Sequence, residues 1–200
     1  MEVDVPTIKA GRSKITGRII SPNETNKDSI FVTIGVPMPI SGEYAKYYVL
    51  VDRSGKFSID VNAETDVSLI GLSSSLNPYK SLVIKLTNGG VTNIDVAYNS
   101  DFDIENLDVT PMGMTQNDMT RGMEVVYKMI AYRPDRVPEP LYAKSTDYFL
   151  NHAKNTILER LQILNSDTLI SKELKGVLSK DFRLLLYNAH VFDYEGEMLL

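Results

Sequence analysis

The hydrophobic period of this chain changes once along its length, and that change limits the folds open to it. In the first 100 residues apolar side chains recur at every second position. Ile15, Gly17 and Ile19 alternate with Lys14, Thr16 and Arg18, and Phe57, Ile59 and Val61 alternate with Lys56, Ser58 and Asp60. A period of two belongs to a strand with one face buried. Tyr47, Val49 and Val51 alternate in the same way with Tyr48, Leu50 and Asp52. Further runs are Ser29 to Val36, rich in β-branched residues, then Val67-Leu69-Gly71, Leu82-Ile84-Leu86 and Ile94-Val96-Tyr98. Asp52-Arg53-Ser54-Gly55 and Asn88-Gly89-Gly90 read as hairpin turns, because glycine supplies the positive φ such turns require. Short strands spaced by turn residues predict an antiparallel β-sandwich or partly open barrel over residues 1–100.

From residue 116 the period becomes helical. Met119, Met123, Val126 and Ile130 form one stripe, which the proline-rich stretch from Arg133 to Pro140 ends. Leu150, Ala153, Ile157, Leu161 and Leu164 form a second. Ser171 is the expected N-cap of a third helix, with the stripe Leu174, Leu178, Phe182, Leu185, Ala189 and Phe192. The fold class expected is therefore α+β: a β-domain over 1–100, a linker over 101–115, and a small module of about three helices over 116–200. Charge divides along the same line. The first 100 residues carry ten acids against ten bases, so the net charge of −5 lies entirely in residues 101–200.

That negative balance argues against nucleic acid as a partner. The chain has no cysteine, so it brings no thiol redox chemistry, disulfide framework or Cys-based metal site of its own. No window approaches the length of a membrane helix, and the N-terminus lacks the features of a signal peptide. The ending Glu197-Met198-Leu199-Leu200, without a polar tail, is expected of a chain that continues.

Catalytic patterns are sparse. His152 and His190 fall on different helices without zinc spacing, and both read as surface or boundary histidines. Asp101, Asp103 and Glu105 resemble the opening of a calcium loop. Asn106 stands where that loop needs Gly, however, and Met112 where it needs Glu, so the run reads more simply as a last strand or linker with Phe102 and Ile104 facing the core. No nucleophile elbow, P-loop or dinucleotide fingerprint is present. No catalytic residue, metal ligand or cofactor is expected. One cluster, Tyr44, Tyr47 and Tyr48, is the candidate ligand or partner surface. Met112, Met114, Met119 and Met123 read as linker and core.

Several segments resemble a known family. Lys14-Ile15-Thr16-Gly17-Arg18-Ile19-Ile20 is similar to the opening strand of the N-terminal β-domain of TlpA-like thiol-disulfide oxidoreductases of Bacteroidetes. Asp52-Arg53-Ser54-Gly55-Lys56-Phe57 resembles that domain's D-x-x-G-K-F hairpin. The run Leu86 to Val96 resembles its closing hairpin. In that family a helical segment and then a thioredoxin domain with a CxxC motif follow, and this chain has no CxxC. Asp28-Ser29-Ile30 and Asp167-Thr168-Leu169 resemble the short sequon glycosylated on exported Bacteroidetes proteins. The resemblance implies a non-catalytic module of the cell envelope or periplasm that positions a downstream thioredoxin domain or docks its partner. An independent β-sandwich binding glycan or peptide is the alternative. The expected partners are that domain, an envelope protein, or a second copy in a homodimer.

Overall fold

Strands form where the period of two predicts them, and they sort into two sheets. The computed structural model describes residues 7–21, 29–131 and 144–186. Eight strands come first: β1 (Ile8–Ile20), β2 (Phe31–Met38), β3 (Glu43–Leu50), β4 (Lys56–Thr65), β5 (Val67–Ser74), β6 (Asn77–Thr87), β7 (Val91–Tyr98) and β8 (Ile104–Thr110). Three helices follow: α1 (Gln116–Ala131), α2 (Thr146–Ser166) and α3 (Lys172–Leu186). One sheet has the order β4-β1-β7-β8 and the other β3-β2-β5-β6. Every pairing is antiparallel except that of β1 with β7, where Ile15 lies beside Thr92 and Ile19 beside Val96. The fold class is α+β, and the β-part is two sheets rather than a closed barrel.

The inner faces of both sheets share one apolar core. Ile15, Val61 and Val96 enter it from the first sheet and Ile34, Leu72 and Leu86 from the second, all fully buried. Met119, near the start of α1, joins the same cluster. A buried Leu, Ile or Val contributes about 1.5–3 kcal/mol, so this layer dominates the stability of the β-part.

Both expected hairpin turns serve a different purpose. Asp52–Gly55 joins β3 to β4, and Asn88–Gly90 joins β6 to β7, yet each pair of strands belongs to different sheets. These turns carry the chain across the sandwich. Their local chemistry is as expected: the Asp52 carboxylate accepts from the Ser54 and Lys56 amides at 2.8 and 2.9 Å, and Gly55 has φ +83°. The Lys56 amide, followed by the Ser54 hydroxyl, holds the Asp52 carboxyl below its ordinary range. Turn residues specify a reversal of direction, not which strand the returning segment joins. The hairpins proper are β2–β3, β5–β6 and β7–β8.

The expected linker over 101–115 is also corrected. Ile104–Thr110 is β8, paired with β7 along its length, with Leu107 and Val109 in the core. Thr115 then caps α1: its hydroxyl accepts from the Asp118 amide at 3.1 Å, and Asp118 accepts from the Thr115 amide at 3.4 Å. This reciprocal pair has the capping-box pattern. The boundary between the two compact units falls inside α1, between Met123 and Glu124.

In the helical unit the stripes run one position away from the sequence reading in two places. In α1 Met119 is buried as expected, but the stripe continues through Val125 and Met129, whereas Met123 and Val126 are half-buried; the Ile130 side chain lies outside the described residues. In α2 Phe149 is buried and Leu150 exposed, while Ala153, Ile157, Leu161 and Leu164 are buried as expected. Ser171 accepts from the Leu174 amide at 3.1 Å as the N-cap of α3, and Leu174 and Leu178 are buried. The remainder of the expected α3 stripe, from Phe182 to Phe192, lies outside the residues whose side chains are described.

Gly17 occupies the tightest point of the first sheet. It sits on the inner face of β1 between Phe57 of β4 and Ile94 of β7. A Cβ added there would stand 2.0 Å from the Ile94 carbonyl oxygen and 2.8 Å from the Phe57 ring. The carbonyl belongs to a paired strand and cannot withdraw without breaking the ladder. Gly17→Ala is therefore expected to lower unfolding free energy by about 3 kcal/mol in chemical denaturation, the upper end of overpacking costs.

Candidate functional site

A sandwich commits its inner faces to the core, so function is left to outer faces, edges and loops. The two outer faces differ. On the first sheet, β1 presents Arg12, Lys14, Thr16 and Arg18, with Asp60 on β4 and Asn93 and Asp95 on β7 alongside. Arg12 and Asp60 form an exposed ion pair at 3.1 Å, and the Thr16 hydroxyl donates to Asn93 Oδ1 at 3.1 Å. Ile20 and Val91 are apolar exceptions, 47% and 58% exposed. This face satisfies itself and faces water.

The second sheet's outer face has an apolar and aromatic end, with Lys46 of β3 and Lys85 of β6 farther along it. Leu50 of β3 lies opposite Phe31 of β2, and they are 70% and 41% exposed. Tyr48, two positions from Leu50 on the same face, is 63% exposed. Phe31 is anchored by its backbone, which donates to the Ser75 hydroxyl and accepts from the Ser75 amide in the β5–β6 connection. Farther along, Tyr44 lies flat over two paired glycines. A Cβ on Gly35 would meet the Tyr44 hydroxyl at 1.9 Å, and one on Gly71 would meet it at 3.3 Å. Two missing side chains make a floor for one ring.

The three candidate tyrosines therefore do not share a surface. Tyr44 and Tyr48 are exposed on the outer face. Tyr47 points the other way: it packs against the core, and its hydroxyl accepts from the Asn62 amide of β4 at 3.1 Å. The reason is the pleat, which sends successive side chains to opposite faces. Phe31 and Leu50, which complete the exposed patch, carried no sequence signal beyond their own alternation.

Other candidate residues fall into structural roles. Asn99 Oδ1 accepts from the Asp101 and Asp103 amides at 3.0 and 2.9 Å, which places these two in the β7–β8 turn and Glu105 on β8, and Asp103 pairs with Lys80 at 3.2 Å. Among the described residues no three His, Asp or Glu side chains converge to hold a metal ion. Met112 is exposed, Met114 packs on the core and Met119 is buried, so the methionines form no common edge. His152 is half-buried on α2, and His190 lies outside the described residues. Burial pushes the Tyr98 phenol up, partly offset by its hydrogen bond with Ser74 across the core. Two depressions among the described residues are open to solvent: one beside Arg12, Met38 and Glu64, another beside Arg18, Leu50 and Lys56. No helix among the described residues is long and apolar enough to cross a membrane.

No family model and no curated protein matches this sequence. Among solved structures the chain is similar to a DUF3823 family protein from Parabacteroides merdae, with 17% identity and a TM-score of 0.28. That likeness covers 44% of this chain and 46% of the other, so it spans less than half of its neighbour's length.

The opposite orientations of Tyr47 and Tyr48 predict opposite costs of truncation. Tyr47→Ala removes core packing and strips the Asn62 amide of its acceptor, and should cost roughly 2–3 kcal/mol in chemical denaturation. Tyr48→Ala should stay within about 0.5 kcal/mol of the parent. Equal effects would contradict the orientation of β3.

Proposed function

We propose that this chain is a non-catalytic module of a cell-envelope thiol-disulfide oxidoreductase, docking the enzyme's own downstream thioredoxin domain on the outer face of the second sheet. The observation that carries this reading is the exposed apolar patch of Phe31, Tyr48 and Leu50. A patch of aromatic and aliphatic side chains without charge at its centre suits a protein surface, which removes it from water on association. The opposite face exposes Ile20 and Val91 as well, but sets them among the charges of Arg12, Lys14, Arg18, Asp60 and Asp95. The absence of cysteine agrees with a division of labour in which redox chemistry belongs to another domain. Choosing the thioredoxin domain as occupant rests on the resemblance of the Lys14–Ile20, Asp52–Phe57 and Leu86–Val96 segments. The patch alone speaks only for a protein partner. With Tyr47 turned inward, the aromatic platform that a glycan-binding reading would use is reduced.

The coding sequence beyond Leu200 should encode a domain with a CxxC motif. That domain, titrated with this chain by calorimetry, should bind. Leu50→Asp should weaken the interaction about tenfold or more, as for a central contact, without altering the fold. Lys14→Glu, on the outer face of the first sheet, should leave it unchanged. An immediate stop codon, or binding indifferent to Leu50→Asp, would overturn the reading.

A further inference from the structure

The four edge strands of the sandwich are not equally protected. β4 carries Lys56, Asp60 and Glu64, and its Asn62 amide is taken by the Tyr47 hydroxyl. β8 is short, contains Glu105 and Asp108, and is followed by Pro111. β6 contains Pro78, Lys80 and Lys85, and its register with β5 shifts near Ser74. Charges, prolines and irregular register are the usual means of keeping an edge from pairing with another chain. β3 has a continuous register with β2 from Glu43 to Leu50, no proline and no bulge, and its charges are Glu43 at its first position and Lys46.

The direction of its backbone groups follows from one hydrogen bond. The Val51 amide donates to the Ile30 carbonyl at 2.9 Å. In an antiparallel pair, hydrogen-bonded and non-hydrogen-bonded positions alternate. Val49, Tyr47 and Ala45 therefore direct their amides and carbonyls to β2. Lys46, Tyr48 and Leu50 direct theirs away from it, to the open side of the sheet. Pro37, opposite Tyr44 on β2, fits the same parity, because its missing N–H would have faced β5 beyond the end of that pairing at Gly35.

We infer that β3 pairs antiparallel with β3 of a second copy of this chain about a two-fold axis through Tyr47, joining the two β3-β2-β5-β6 sheets into one continuous sheet. Charge selects this register. An axis at Tyr47 sets Lys46 opposite Tyr48 of the second copy, so that each ammonium meets an aromatic ring, and sets Leu50 opposite Tyr44. An axis at Lys46 would oppose two lysines. An axis at Tyr48 would bring the Asp52 turn against Tyr44 and place Lys46 beside an aliphatic Leu50. The inference concerns the edge of β3, and it stands whether or not the outer face docks a thioredoxin domain.

A charge-swap series on the whole chain tests both the dimer and its register. Sedimentation equilibrium should show a reversible dimer. Tyr48→Lys, at an exposed position that the fold does not use, sets its new amine against Lys46 of the second copy at two symmetric places. It should raise the dissociation constant about tenfold or more. Adding Lys46→Glu to that variant should bring the constant back towards the parent value. Lys46→Pro should abolish association while circular dichroism stays that of the parent, since the lost amide does not bond to β2. A monomeric parent at every concentration, or a double variant no tighter than Tyr48→Lys alone, would overturn the inference.

Discussion

The apolar contact between the inner faces of the two sheets is the interaction on which the other features depend. Each buried Leu, Ile or Val contributes about 1.5–3 kcal/mol, whereas a typical hydrogen bond contributes about 0.5–1.5 kcal/mol. Where the two compete, the core decides which way a strand turns. That priority sends Val49 and Tyr47 of β3 inward and leaves Tyr48 and Leu50 outside. It also explains Gly17: β1 runs between β4 and β7, and the Phe57 ring occupies the space a side chain at that position would need.

Once the inner faces are committed, the difference between the outer faces becomes the informative feature. The face built around β1 is a lattice of charges and hydroxyls with partners of their own, such as Arg12 with Asp60 and Thr16 with Asn93. The face built around β2 exposes Phe31, Tyr48 and Leu50 and lays Tyr44 over Gly35 and Gly71. Exposed apolar surface remains a standing cost until something covers it. A protein partner on the face, and a second copy along the edge, are two ways of covering it that use different atoms of β3: side chains in one case and backbone in the other.

Much of this organisation was legible in the sequence. The period of two located the strands of the sandwich, and the same alternation already set Tyr47 with Val49 and apart from Tyr48 and Leu50. Reading the three tyrosines as one cluster overlooked that parity. The roles of Asp52–Gly55 and Asn88–Gly90 were not legible, because an Asx turn or a positive-φ glycine reverses a chain equally well within a sheet and between sheets. β8 was obscured by its acidic residues, which suit an exposed edge as well as they suit a linker. The helical stripes slipped where two apolar residues are adjacent: Val125 with Val126, and Phe149 with Leu150. A period of 3.6 alone cannot choose between such neighbours, and packing does so. The patch and the free edge were least legible of all, since they depend on which strands end up outermost.

The central claim is that β3 gives one side of its backbone to the fold and offers the other for assembly. Residue-resolved amide hydrogen exchange along β3, recorded at low and high protein concentration, tests this most directly. The Tyr47 and Val49 amides, bonded to β2, should exchange slowly at both concentrations. The Lys46, Tyr48 and Leu50 amides should exchange quickly when dilute and slow down as concentration rises. Exchange at Lys46 and Tyr48 that does not depend on concentration, or equal protection of odd and even positions in the dilute sample, would contradict it.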